Sequence, residues 1–550
     1  MTLSLQYPAD SLGAALNYMP KALNFGTSGR RGEVLDLTQL EIFLNARAEL
    51  DYLLALPLAQ GGIRSGQAFY LAHDLRASSI HFVPSQGGRG ELAQAIELAI
   101  HDAGLVPINL GEIPTPALTA FAMSKGSGSM MITGSHIPFE RNGYKTNSAH
   151  GELLKDDEAP INLHVERWRQ RLLAEPFAHS RFAADGSFKH GPRKLVAPMR
   201  DGRDAYLRRY REFFGATCLQ GLRVLVYQHS AVGRDLLVEM LRQVGAEAIP
   251  VGRSETFVPI DTEAIDDTTL ALIQGLAHAA SMNGQRFDAL VATDGDSDRP
   301  LLIGLDYDGS TPPQAQFFGG DLVGMLVAEA LGADAAVIPI SCNDAIDRGA
   351  LAAVLEPKTR IGSPYVIAGM NQARRNGRQR ICGWEANGGF LTGSDIERAG
   401  RNLPALPTRD AFLPILCVLA RMASRRVPMQ ELFAELPRRF SRAGLLRNFP
   451  RAASQKILTA LTAFSNNAPP IETFFTPQAG FGSLTKLDQT DGVRLYFSNG
   501  DVAHVRPSGN ADELRIYAVA DTQARADEIV NLGVAEPAGI LRRLSKAFAA

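Results

Sequence analysis

Along the chain, short apolar runs alternate with segments of helical periodicity. Residues 67–73 (QAFYLAH) have the length and character of a strand. Glu91 to Asp102 places apolar side chains at helical spacing, and Gly104 closes that helix ahead of another apolar run, LVPINL. A second strand–helix–strand unit begins at LRVLVY (222–227), turns through His229 to Gly233, continues as a Leu- and Val-rich helix and stops at Gly245 before AEAIPV. A third begins at AAVIPIS (335–341), followed by the helix-like RGALAAVL. Beyond about residue 440 the pattern becomes short strands about a turn: GVRLYF, Asn499-Gly500, DVAHV and LRIYAVA, then a helical tail. The expected fold is α/β, with three similar domains of mixed sheets between helices and a C-terminal α+β domain. The expected bounds are 1–195, 196–308, 309–438 and 439–550. The polar and aromatic stretch Asn162 to Arg203 fits neither flanking unit, and tandem repeats are absent.

Length agrees with this division, since 550 residues exceed what one hydrophobic core serves. A 45% hydrophobic and 21% charged composition is that of an ordinary globular chain. With a net charge of −2 and interspersed signs, no footprint for nucleic acid or an anionic membrane is present, so any anion must be bound locally. Cys218, Cys342, Cys382 and Cys417 form no CxxC pair, which argues for reduced thiols rather than a zinc site or a disulfide framework. No apolar run approaches the roughly 20 residues of a membrane span, and no basic, apolar leader opens the chain; the expected location is cytoplasmic.

Candidate chemistry concentrates on loops. Asp294-Gly-Asp296-Ser-Asp298-Arg299 lies between the apolar runs ALVAT and LLIGL. Alternate residues of an extended loop project to one side, so three carboxylates converge on a hard cation such as magnesium. Without a cation they would repel one another. The alternatives are a solvated acidic turn or the Asp-x-Asp pair of a phosphatase with an aspartyl nucleophile. An EF-hand is excluded, because Arg299 and Leu305 stand where it needs Gly and Glu. Thr133-Gly134-Ser135-His136-Ile137-Pro138 follows the run GSMMI and puts Ser135 at a strand end, either as a nucleophile or as a Ser/Thr turn. Ile137 excludes the hydrolase elbow GxSxG. Lys145, just beyond Asn142-Gly143, is an acid/base or phosphate-clamp candidate. Phe25 to Gly32 (FGTSGRRG) and Arg506-Pro507-Ser508-Gly509-Asn510, with Arg515 beyond, are glycine-punctuated cationic loops suited to anions. Gly383 to Gly389 (GWEANGG) offers a carboxylate and an amide for sugar hydroxyls.

In this order the loops resemble those of the α-D-phosphohexomutase family, which includes phosphoglucomutase, phosphomannomutase and phosphoglucosamine mutase. FGTSGRRG is similar to the family's FGTSGxRG, His73 to Ser79 to its D-x-R-x-S-S turn, and IPTPAL (113–118) to its PTP segment. TGSHIP resembles the phosphoserine loop TASHNP, DGDSDR the metal loop DGDADR, GWEANGG the sugar loop GExSGH, and RPSGN the phosphate loop RPSGT.

The resemblance implies four domains around a central cleft and a mutase interconverting hexose 1-phosphate and hexose 6-phosphate, mannose or glucose. It implies a phosphoserine enzyme, with hexose 1,6-bisphosphate as intermediate and activator. Ser135, Lys145, Arg31 and His136 are the implied catalytic residues; Asp294, Asp296, Asp298 and a phosphoserine oxygen on Ser135 are the implied Mg2+ ligands. Arg299, Gly362, Glu385, Asn387, Arg506, Ser508, Gly509, Asn510 and Arg515 are the implied substrate contacts, with Gly362 from the loosely matching segment Thr359 to Ser363. Partners are then small phosphosugars, bound by a monomer or homodimer. The departures are Gly134 for Ala, Ile137 for Asn, Asn387 for Ser, Asn510 for Thr and Gly389 for the His of several members; the last shifts proton transfer toward Lys145. Other readings are a phosphoglucosamine mutase, the aspartyl phosphatase, or a phosphosugar-binding protein without turnover.

Overall fold

The computed structural model describes the chain apart from residues 1–6, 192–193, 264, 308–311, 463–470, 509–511 and 549–550. The first group of apolar runs pairs into one mixed sheet of β1 (Arg30–Glu33), β2 (Ala68–His73), β3 (Val106–Glu112), β4 (Ser129–Ile132) and β5 (Arg141–Ser148), in the order β1-β5-β4-β2-β3, with the two-residue strand Gly151–Glu152 pairing off β5 as its sixth. Strands β4, β2 and β3 run parallel, and β5 returns antiparallel to β4. The second sheet, β6 (Arg223–His229), β7 (Glu247–Arg253), β8 (Ala289–Thr293), β9 (Pro300–Asp306) and β10 (Gln314–Phe317), has the order β7-β6-β8-β9-β10 and also ends antiparallel. The third, β11 (Ala335–Val337), β12 (Ile381–Trp384), β13 (Phe390–Thr392) and β14 (Leu406–Asp410), is ordered β11-β12-β13-β14.

In all three, a parallel strand with both faces buried turns back into an antiparallel neighbour: β4 into β5, β8 into β9, β12 into β13. Strand ends of this kind carry ligands in open α/β sheets. The three turns are the Ser135 loop, the Asp294–Asp298 loop and the Glu385 loop. The last sheet is wholly antiparallel: β15 (Phe440–Arg447), β16 (Leu484–Asp488), β17 (Val493–Phe497), β18 (Val502–Pro507) and β19 (Glu513–Ala520), in the order β15-β19-β18-β17-β16. Helix Gln523–Val534 packs across it with Ala526, Ile529 and Val530 buried.

Two local expectations change. RGALAAVL is not a helix but parts of two 3₁₀ turns, Asp344–Arg348 and Ala350–Val354, divided by the extended Gly349. The crossover helix is Ser363–Arg375, and the strand before it is cut to three residues ahead of Pro339, which has no N–H for the ladder. The unassigned stretch 162–203 begins inside helix Lys155–Ala174, of which only Ile161, Trp168, Leu172 and Leu173 are buried, so its periodicity is faint. Phe182 and Phe188 then stack at 5.2 Å within the first core.

Helix Asp201–Phe214 joins the first sheet to the others. Its Tyr206 donates to Asp410 at 2.8 Å, and Tyr210 donates to the second oxygen of the same buried carboxylate. Asp410 also accepts from the backbone amides of Phe412 and Leu413, opening helix Phe412–Arg425. Two residues earlier on β14, Thr408 donates to Glu152 of the first domain at 2.6 Å, and Glu152 further accepts from Ser363 and Ser28. No helix among the described residues is long and apolar enough to cross a membrane. The four cysteines are unpaired, three buried and Cys218 half-buried.

Candidate active site

The Ser135 loop is held from below. Asp74, just past the end of β2, accepts from Thr133 Oγ1 at 2.8 Å and from the Gly134 amide at 3.2 Å, and from Ser79 and the Arg76 amide on its other oxygen. The buried Arg76 guanidinium donates to the carbonyls of Pro138 (2.8 Å), Arg141 (2.9 Å), Ser135 (3.0 Å) and Ile137, and lies 3.8 Å over the Phe257 ring. A methyl on Gly134 would lie 2.6 Å from the Arg76 Cζ, which is why this loop has glycine there. Ser135 itself sits at φ 54°, in the left-handed region that a serine adopts only when its surroundings impose it. Arg76→Lys is expected to lower the melting temperature and to cut kcat by about 10-fold or more, because an ammonium cannot span four carbonyls and a misplaced nucleophile is slow. Thermal unfolding and steady-state kinetics check this; KM for the sugar phosphate should move by less than about two-fold.

So oriented, the Ser135 hydroxyl donates to Asp294 Oδ2 at 2.6 Å and lies 3.4 Å from His136 Nδ1. The acidic loop is not extended as the sequence suggested. It is a tight turn with Ser297 at φ 57°, and Asp294 Oδ1 accepts from the amides of Asp298 and Arg299, both at 3.1 Å. The carboxylates of Asp294, Asp296 and Asp298 still converge, with one oxygen from each lying within 4.8 Å of the others, all three residues buried. Lys145 donates to Asp296 Oδ2 (2.7 Å) and Asp298 Oδ2 (2.6 Å), Thr115 to Asp296 Oδ2 (2.7 Å), and Arg409 to Asp298 Oδ2 through two nitrogens at 2.9 and 3.0 Å. Asp296 Oδ1 and Asp298 Oδ1 are buried without a hydrogen-bond partner among the described residues. Two such orphaned anionic oxygens beside Asp294 fit a divalent cation and would be costly without one.

The charges divide unevenly. Burial and the charges of Asp296 and Asp298 push Asp294 well above the usual carboxylate range. For Asp296, burial and Asp298 act upward, but Lys145 and Thr115 outweigh them and hold it low. Asp298 is likewise held far below the usual range by Arg409, Lys145 and Arg299, against its burial. Arg31, aligned with Gly143 across β1 and β5, is lowered to about 10 by burial and by the nearby Arg299; its Nε and that of Arg299 are buried without hydrogen-bond partners among the described residues. Burial, Arg299 and Arg31 also keep His136 neutral. Arg299 Nε lies 3.6 Å from Asp298 Oδ1 and 3.9 Å from Asp294 Oδ2, so two mutually repelling guanidinium groups gather at the carboxylate that Ser135 meets, a setting suited to a further anion.

On the sugar-loop side, Arg409 Nη1 donates to Glu385 Oε2 at 2.9 Å. Asn387 Oδ1 accepts from the Gly389 amide, and its carbonyl accepts from Thr262. Gly362, at φ 126°, packs against Thr27 of the amino-terminal loop and precedes helix Ser363–Arg375. The next segment leads to the last domain: the Ile361 amide donates to Asp491, which pairs with Arg506 at 3.0 Å. Arg506 and Arg515 are cross-strand partners on β18 and β19, and Ser508 is buried beside them. Gly509 and Asn510 lie outside the described residues.

The residues that sequence reasoning missed are Thr115, Arg409 and Glu263. Thr115 stood inside the quoted PTP segment, but its bond to Asp296 was not visible there. Arg409 belongs to no motif; a lone arginine in an otherwise buried strand, PTRDAF, was the available signal. Glu263 follows Thr262 on a loop of the second domain. It is raised to about 7 by burial and by Asp261, and faces the positive charges of Arg515 and Arg299.

Comparison with known proteins agrees with this arrangement. Three models of the phosphoglucomutase/phosphomannomutase family match: alpha/beta/alpha domain I over residues 22–171, alpha/beta/alpha domain III over 319–440, and the C-terminal domain over 446–532. A phosphomannomutase of Sinorhizobium fredii is 36% identical over 511 residues, 93% of this chain and 98% of that protein. One of Salmonella muenchen is 36% identical over 512 residues, 92% and 94% of the two. Among solved structures, a phosphoglucomutase/phosphomannomutase family protein of Burkholderia thailandensis superposes with a TM-score of 0.66 at 18% identity, covering 96% of this chain and 98% of that one.

Proposed function

The chain belongs to the phosphoglucomutase/phosphomannomutase family and is a phosphohexomutase, and from that premise we propose that Ser135 carries the phosphoryl group that passes to and from the sugar. The observation that carries this reading is the Ser135 oxygen 2.6 Å from Asp294 of the three-carboxylate cluster, with Arg299 Nε 3.9 Å from the same Asp294 oxygen. Asp294, Asp296, Asp298 and an oxygen of phosphoserine would hold magnesium, which supplies charge neutralisation for the transferring group.

In the forward step the phosphorus–Oγ bond of phosphoserine breaks as a free hydroxyl of the hexose monophosphate bonds to phosphorus, giving hexose 1,6-bisphosphate and free Ser135. Arg31 and Arg299 bind the equatorial phosphoryl oxygens, and the proton of the attacking hydroxyl is passed by way of Lys145 to the departing Ser135 oxygen, so that Lys145 ends the step as it began. Neutral His136, its Nδ1 3.4 Å from the Ser135 oxygen, places no further cation beside it. The bisphosphate turns round, Ser135 attacks the other phosphorus, and the isomeric monophosphate departs. Arg506, Ser508 and Arg515, with Gly509 and Asn510, clamp the phosphate that is not reacting, so that remote binding energy orients either end. The enzyme acts in the cytoplasm on small phosphosugars.

The clamp and the turn decide specificity. Contacts must serve the sugar in both orientations, so Glu385 and Asn387 read hydroxyls that mannose and glucose share; Asn387 spends its oxygen on Gly389 and keeps its amide nitrogen to donate. No residue of the GWEANGG loop marks the configuration at carbon 2. Mannose and glucose phosphates are therefore both expected as substrates, with mannose the physiological one, as the names of the two 36% identical relatives support. The test is kcat/KM for mannose, glucose and glucosamine 1-phosphates with bisphosphate activator and magnesium. A preference for glucosamine 1-phosphate above about 100-fold would mean a dedicated reader of the 2-substituent and an amino-sugar enzyme.

A further inference from the structure

We propose that Arg409 is a positioning residue that couples sugar reading to the phosphoryl-transfer site, and that it occupies the space a side chain at position 389 would need. The inference rests on the roles given to Asp298 and Glu385 above. One planar guanidinium, 2% exposed, spends Nε and Nη2 on Asp298 Oδ2 and Nη1 on Glu385 Oε2. It thereby takes up one oxygen of each carboxylate, leaving Asp298 Oδ1, whose nearest cation is Arg299 Nε at 3.6 Å, and Glu385 Oε1 outside its own hydrogen bonds. A lysine in its place supplies the charge but not the two-sided fork.

The sugar loop is shaped around this side chain. A Cβ built on Gly389 would lie 2.5 Å from Arg409 Cδ, 2.7 Å from Cγ and 3.0 Å from Cβ, so a side chain at 389 and the arginine stem exclude each other. The backbone beneath is anchored on both sides, by Thr408 on Glu152 and by Asp410 on Tyr206 and Tyr210. Arg409 is thus held in place before a sugar arrives. A hydroxyl bonding Glu385 acts on the same guanidinium that orients Asp298, and such a link between two ligand sites works equally in both directions.

Three substitutions, one of them also made in the Arg409→Lys background, test this by calorimetry with the full chain, beside thermal unfolding. In Arg409→Lys, mannose 6-phosphate titrated into metal-free protein and magnesium titrated into sugar-free protein should both bind about 10-fold more weakly, as when other groups that orient ligands are lost. Glu385→Gln should weaken sugar binding about 10-fold in the wild-type background but less than about 2-fold in the Arg409→Lys background, since it removes an interaction already broken. Gly389→Ala, which leaves Arg409 in the chain but displaces it, should reproduce the weaker sugar and magnesium binding. The proposal is overturned if Arg409→Lys and Gly389→Ala change only the melting temperature, or if Glu385→Gln costs the same in both backgrounds. Wild-type protein without phosphate on Ser135 would instead defeat the functional reading, while the metal-free sugar titrations still decide the role of Arg409.

Discussion

Ser135→Ala protein is expected to carry no phosphate and to lose mutase turnover by about 10⁴-fold, roughly 5.4 kcal/mol of transition-state stabilisation. The hydroxyl touches only Asp294 and His136, and the loop around it is held by Asp74 and Arg76 rather than by the serine side chain. The substitution therefore removes the acceptor and leaves its frame, so the melting temperature should be nearly unchanged. Peptide mass spectrometry of wild-type and variant protein, incubated with glucose 1,6-bisphosphate, reads the modification directly. A hydroxylamine-sensitive acyl phosphate on Asp294 would replace this mechanism with that of an aspartyl phosphatase.

Asp296→Asn should raise the half-saturating magnesium concentration and lower kcat, each by about 100-fold, or about 2.7 kcal/mol apiece. The amide has no good orientation. With its oxygen toward Lys145 and Thr115, the NH2 group replaces Oδ1, an anionic oxygen without a hydrogen-bond partner among the described residues, and would turn N–H toward a cation there. Reversed, the NH2 group confronts the Lys145 ammonium and the Thr115 hydroxyl. Metal titration of activity, together with direct magnesium calorimetry, measures both effects. Activity and metal dependence like those of the wild type would show that the acidic loop is only a turn.

The α/β class and the strands bearing the chemistry were legible because buried parallel strands read as apolar runs with glycine-marked ends, and the loops between them carry unusual residue combinations. DGDSDR and TGSHIP stand out for that reason. The reasoning about the first was still wrong in detail: its carboxylates converge through a tight turn about Asp294 Oδ1, not by alternation along an extended segment. RGALAAVL looked helical from composition, yet one extended glycine splits it. Helix Lys155–Ala174 stayed hidden because so few of its positions are buried. Arg409 left no more than a lone arginine in an apolar strand and Glu263 no local trace, since their importance comes from partners more than 100 residues away in sequence or across a domain boundary. The reactive loops are written locally, whereas the charges that tune them are written in tertiary structure.

The anchoring of strand β14 bears on recombination among related enzymes. Three consecutive residues, Thr408, Arg409 and Asp410, reach respectively a carboxylate of the first domain, the carboxylate pair Asp298 and Glu385, and a tyrosine pair on helix Asp201–Phe214. A chimera with crossovers at the domain junctions would inherit this strand from one parent and its partners from others, stranding several buried acids at once. Transplanting the third domain alone should fail even between parents that both fold. A graft that moves β14 together with Glu152, Tyr206, Tyr210 and Asp298 should succeed, which makes those residues, rather than the linkers, the practical seams of the molecule.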